Sequence, residues 1–99
     1  MSRPAYFILE IDIHDMEGMK PYLEKVGATV AAFAPTSLVN GDNIEPLEGA
    51  APIGKVVVLR FDTMAKARAW YESPAYSEIL RHRLAAADNR AFLVEGLDA

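Results

Sequence analysis

Three features of the sequence predict an α+β domain built as strand, helix, two strands, helix and strand. The first is Ala5 to Ile13 (AYFILEIDI), an alternating stretch in which Phe7, Leu9, Ile11 and Ile13 share one apolar face. The second is Lys55 to Phe61 (KVVVLRF), the most strongly β-branched run in the chain and the natural central strand. The third is Ala65 to Gly96, which reads as helix, Ser-Pro break, helix, short polar turn and closing strand. The chain has 99 residues, enough for one domain over 1–99 with a single core.

Composition narrows the classes. At 52% hydrophobic and 24% charged residues the chain has an ordinary globular balance. Its net charge of −4 argues against a nucleic-acid partner, which would draw on a clustered excess of Lys and Arg. The count of zero cysteines removes disulfides, zinc-thiolate sites and cysteine nucleophiles, and fits a cytoplasmic location. No apolar run approaches the length of a membrane span, and Met1-Ser2-Arg3-Pro4 does not open a signal peptide. A Gly-rich phosphate loop, a His-rich metal cluster and a Ser-His-Asp arrangement are also missing, so neither a metal nor a cofactor is expected.

The elements follow in order. Opposite its apolar face the first strand carries Tyr6, Ile8, Glu10 and Asp12, a mixed face suited to a partner or a pocket. Asp15 is placed to cap a helix whose stripe is Met19, Tyr22, Leu23, Val26, Val30 and Phe33. Pro21 and Gly27 oppose it, costing about 3 and about 1 kcal/mol inside a helix. A helix over about Met16 to Phe33 is therefore expected to kink or break near one of them, and Ala34-Pro35 to end it. Thr36 to Asn40 reads as a short strand, Gly41-Asp42-Asn43 as a turn or bulge, and Ile44 to Glu48 as an edge strand that can hold Pro46. Gly49 to Gly54 is a loop. On the central strand Val57, Leu59 and Phe61 share one face, and Val56, Val58 and Arg60 the other.

Thr63 caps the next helix, with Ala67, Trp70 and Tyr71 inward. Ser73-Pro74 is a cap followed by a first-turn proline, so the helix ends near Glu72 and restarts. The restarted helix buries Tyr76, Ile79, Leu80, Leu84 and Ala87, leaving Glu78, Arg81 and His82 outside. Ala91 to Glu95 is the last strand. Right-handed crossovers fold this order into a four-stranded antiparallel sheet, 4-1-3-2, with both helices on one face: a ferredoxin-like subunit whose second helix is split at Ser73-Pro74. Tyr6, Ile8, Val56 and Val58 then lie on an uncovered face. An apolar sheet face of that kind marks a partner surface, and the simplest partner is a second copy, giving a homodimer.

Several motifs keep a fixed spacing. They are Ala5-Tyr6 with Asp12, Ile13 and Asp15; Leu47-Glu48-Gly49; the strand Val56 to Phe61; Ala67 with Ala69-Trp70-Tyr71; Ser73-Pro74 and Tyr76; and Arg83, Ala86-Ala87, Arg90 and Leu93-Val94-Glu95-Gly96. On these the chain resembles the family known as domain of unknown function 1330, within the dimeric α/β-barrel superfamily of ferredoxin-like subunits. The resemblance runs over nearly the whole length and implies the same fold and dimer. It implies little chemistry, because the family has no established reaction. Wider relatives include cofactor-free monooxygenases, isomerases, dehalogenases and haem-degrading enzymes, working in a cavity between helices and sheet or in the barrel. The chain also departs from the pattern: Thr36 and Asn40 stand where cations are common, Glu10 where the family is neutral or basic, and Arg60 where it often has an acid. Glu10 and Arg60 lie on neighbouring strands and face away from the helices, so a reversed cross-strand pair is expected.

Candidate site residues each carry a structural reading as well as a functional one. Glu10 and Asp12 are the candidate proton acceptors, with Arg60 beside them; pairing at a dimer interface explains them equally. Stacking on an aromatic ligand is open to Trp70, Tyr71 and Tyr76, as is a place in the core. Arg83, Asp88 and Arg90 suit an anionic substrate or a network tying the helix end to the closing strand. Tyr6 lies on the uncovered face and joins the ligand-binding candidates. His14-Asp15 reads as a strand-end surface pair and His82 as part of a solvated face rather than as metal ligands. The expected function is that of an uncharacterised homodimer binding a small organic ligand. The alternative is a cofactor-free enzyme, monooxygenase- or isomerase-like, abstracting a proton with a carboxylate in the barrel or cleft.

Overall fold

The computed structural model describes residues 3–97. Its elements are β1 (Ala5–Ile13), α1 (Met16–Ala31), β2 (Thr36–Gly41), β3 (Lys55–Phe61), α2 (Met64–Tyr71), α3 (Pro74–Ala86) and β4 (Ala87–Glu95). The strands form one four-stranded sheet in the order β2-β3-β1-β4 with every pairing antiparallel, the expected 4-1-3-2 read from the other edge. The helices pack on one face, and the layer between holds Phe7, Leu9, Ile11, Met19, Phe61 and Trp70.

Local chemistry sets the helix starts as the sequence predicts. The Asp15 carboxylate accepts from the Gly18 amide at 3.1 Å, Thr63 from Lys66 at 3.1 Å, and Ser73 from Tyr76 at 3.3 Å with Pro74 in the first turn. Gly18 has a second role. A Cβ there would lie 2.7 Å from an Asp15 carboxylate oxygen and 3.2 Å from the Ala86 Cβ. The glycine thus lets α1 approach the end of α3, where the Ala86 carbonyl accepts from the His14 and Asp15 amides.

Four expectations are corrected. First, α1 is continuous through Pro21 and Gly27 and ends at Ala31. Met19 and Tyr22, buried on either side of Pro21, hold the turn whose hydrogen bond the proline removes. Ala34 then leaves the helix at φ 48, its amide donating to the Val30 carbonyl. Second, Leu23 is 47% exposed and Leu84 57% exposed, whereas Arg83, one residue before, is buried in the core. Third, the stretch 44–48 is not a strand: β2 ends where Gly41 meets Val56, and β3 begins at Lys55, leaving nothing to pair with. Fourth, no polar turn precedes the closing strand. β4 starts at Ala87, because β1 extends to Ile13 and pairs Asp88, Asn89 and Arg90 with Asp12, Ile11 and Glu10.

Candidate functional site

The register sorts the candidates onto two sides of the sheet. Away from the helices, Val39, Val58, Ile8 and Phe92 stand side by side across all four strands. Phe92 and Val39, at the two ends of this row, are 50% and 43% exposed, and Ile8 and Val58 between them are half-buried, so an apolar row faces solvent across the sheet. One step along the strands lie Thr36, Arg60, Tyr6 and Val94; one step the other way lie Gly41, Val56, Glu10 and Arg90. Asp12 and Asp88 face each other at the far end.

This register overturns the expected Glu10–Arg60 pair. Arg60 sits opposite Tyr6 and Thr36, four residues along β1 from Glu10, and makes no ion pair among the described residues. Glu10 instead accepts from Arg90 Nη2 at 3.0 and 3.1 Å on its two oxygens, and from the Ile53 amide at 3.1 Å. Arg90 is drawn to the open face by strand alternation, so it is also separated from Arg83. Asp12 is exposed, His14 is exposed and His82 half-buried. Among the described residues no three His, Asp or Glu side chains converge to hold a metal ion.

On the helix side, the aromatic candidates form the core. Trp70 lies 4.2 Å from Tyr76, 5.1 Å from Phe7 and 5.4 Å from Phe61, centroid to centroid, and donates from Nε1 to Thr29 Oγ1 at 3.2 Å. Tyr71 is half-buried and borders a groove of about 300 Å³ between α2 and the edge of β4, with Arg68, Phe7 and Leu93.

Deeper in, α1, α3 and β4 bring together a polar cluster. The Tyr22 and Tyr76 hydroxyls are 2.8 Å apart, and Arg83 Nη2 donates to the Tyr76 oxygen at 3.4 Å. Arg83 Nη1 donates to Asn89 Oδ1 at 2.7 Å, and the Asn89 amide returns bonds to the Arg83 and Ala87 carbonyls. The guanidinium carbon lies 5.5 Å over the Tyr22 ring. Arg83 is 1% exposed and Tyr76 0%. Burial pushes the Tyr22 phenol well above the ordinary tyrosine range, with the charge of an ionised Tyr76 and the hydrogen bond to its hydroxyl raising it further and Arg83 opposing. Burial also raises Tyr76, again against the pull of Arg83.

The sequence pointed to Arg83 and Tyr76 but to neither Tyr22 nor Asn89 as members of a site. Tyr22 was legible as core, and its signal was a hydroxyl that needs a partner once its stripe is buried. Asn89 was hidden by reading 88–90 as a turn; alternation from Ile11 across the sheet is what turns it inward. Of the expected anion set Arg83, Asp88 and Arg90, only Arg83 lies here.

Known structures share this fold. A protein of unknown function from Rhodopseudomonas palustris, RPA0582, superposes with a TM-score of 0.78 at 17% identity, over 100% of this chain and 86% of its own. SnoaB, a cofactor-independent oxygenase from Streptomyces nogalater, gives 0.67 at 10% identity, over 99% of this chain and 97% of its own. A dimeric ferredoxin-like protein of unknown function from Thermobifida fusca gives 0.65 at 15% identity, over 97% and 93%. At these identities the likeness establishes the ferredoxin-like fold. No curated protein matches the sequence. The family model for the domain of unknown function DUF1330 matches residues 4–97, almost the entire chain, and the protein belongs to that family.

Proposed function

We propose that the chain works as a cytoplasmic homodimer, one domain over residues 1–99, that closes through its uncovered sheet face and binds a small organic ligand. The observation that carries this reading is the solvent-facing row Val39, Val58, Ile8 and Phe92, which crosses every strand of the sheet. Exposed apolar side chains in one continuous row lose hydration cost on pairing, at roughly 25 cal/mol per Å² removed from water. The dimeric ferredoxin-like neighbour from Thermobifida fusca supports the same assembly, and the absence of cysteine fits the compartment.

The alternative in which a carboxylate on this face abstracts a proton gains no support from the geometry. Both Glu10 oxygens are engaged, Oε1 by Arg90 and the Ile53 amide and Oε2 by Arg90, so neither is turned toward an open cleft. Light scattering coupled to gel filtration tests the assembly. The expected mass is twice 10.9 kDa at micromolar concentration; a single-chain mass there overturns it. A thermal-shift screen of charged and neutral small organic molecules tests the ligand, with no stabilising compound as the opposing result.

A further inference from the structure

The buried cluster of Arg83, Tyr22 and Tyr76 holds a charge and donor hydrogens that no acceptor takes among the described residues. Arg83 Nη1 and Nη2 have acceptors, but Nε has none and is fully buried. The groups around the guanidinium are neutral: the Asn89 amide and two phenols. No carboxylate pairs with it among the described residues. The phenols share a single hydrogen bond. That bond uses one of their two hydroxyl protons, and no acceptor among the described residues takes the other. The cluster therefore holds free donors, the Arg83 Nε–H and one phenolic O–H among them, beside a positive charge that no carboxylate pairs among the described residues. A buried arrangement of this kind attracts an oxygen-bearing anion and repels a cation.

We propose that Arg83 Nε–H and the uncommitted phenolic proton of the Tyr22–Tyr76 pair bind the carboxylate or enolate oxygen of a small organic anion. The proposal rests on the small-ligand reading above and adds the ligand's charge. Burial keeps both phenols protonated and thus able to donate. Trp70 is the sole tryptophan and lies 4.2 Å from Tyr76, so its fluorescence reports occupancy.

The test titrates the intact chain with formate, acetate and benzoate, and with formamide, acetamide and benzamide as neutral counterparts, following Trp70 fluorescence and Tm. At least one anion is expected to bind saturably and ten-fold or more tightly than its amide. Arg83→Met and Tyr22→Phe are each expected to weaken that anion ten-fold or more. Without ligand, Arg83→Met is expected to keep or raise Tm, because it removes an unpaired buried charge. If Arg83→Met fails to fold, Tyr22→Phe, which preserves the ring, carries the binding test. Anions that bind no better than their amides, or that bind both variants as tightly as the unaltered chain, overturn the proposal. Binding of the amides alone overturns it while leaving the small-ligand reading in place, and the light-scattering mass decides the dimer separately.

Discussion

Arg83 and Leu84 compete for the inward position on α3, and hydropathy alone favours Leu84. Burying a leucine contributes about 1.5–3 kcal/mol, whereas a charge is costly to bury unless it is hydrogen-bonded. The structure turns Arg83 inward because Tyr76 lies two turns before it on the same face and Asn89 arrives from β4. The phenols beside it make a pH prediction. Their folded-state pKa values are raised, so the stability they contribute is fully present below about pH 10 and is lost as pH rises beyond it. Above that pH, stability to urea is expected to fall by about 1.4 kcal/mol per pH unit for each phenol that stays protonated while the unfolded chain ionises. Tyr22→Phe and Tyr76→Phe should each flatten this alkaline fall; an unchanged slope in both variants contradicts the burial argument.

At the scale of the element, α1 shows how packing overrides propensity. Its sequence contains a proline and a glycine that each oppose a helix, yet it is unbroken over Met16–Ala31. Gly18 and Gly27 lie on the same helix with opposite roles. Gly27 is exposed, and a Cβ there meets nothing within 4 Å, so Gly27→Ala should add about 1 kcal/mol. In a domain of this size that raises Tm by about 4–8 °C. A Cβ on Gly18 collides with the Asp15 cap and Ala86, so Gly18→Ala should cost about 1–3 kcal/mol and lower Tm. Thermal unfolding followed by circular dichroism reads both, and equal shifts would show that α1 does not depend on its approach to α3. Both helix starts at Thr63 and Ser73 were legible, because a cap is a local device. The end of β2 and the start of β4 were not, because strand ends depend on how far the partner strand reaches.

At the scale of the whole molecule, one face of the sheet is covered and the other is open. Phe92 lies at the β4 end of the apolar row, 50% exposed and outside the buried core, so replacing it leaves that core intact. Phe92→Lys is expected to yield a folded monomer, with native circular dichroism and half the light-scattering mass of the dimer. An unchanged dimer would place the interface elsewhere. Arg60 and the facing Asp12 and Asp88 share this surface at opposite ends of β1. Salt should therefore alter the association by screening the exposed Asp12 and Asp88 charges more than it alters the apolar row.

The sequence by itself determined the order of the main elements, the helix caps, the sheet order and the face each residue of β1 and β3 takes. These follow from periods of two and 3.6 residues and from side chains that act on their own backbone. Tertiary structure alone decided the partners. Glu10 meets Arg90 rather than Arg60, and Arg83 meets Tyr76 and Asn89 rather than Asp88. Alternation gives each residue a side of the sheet, but register decides its neighbour, and a shift of two residues preserves every face while changing every pair.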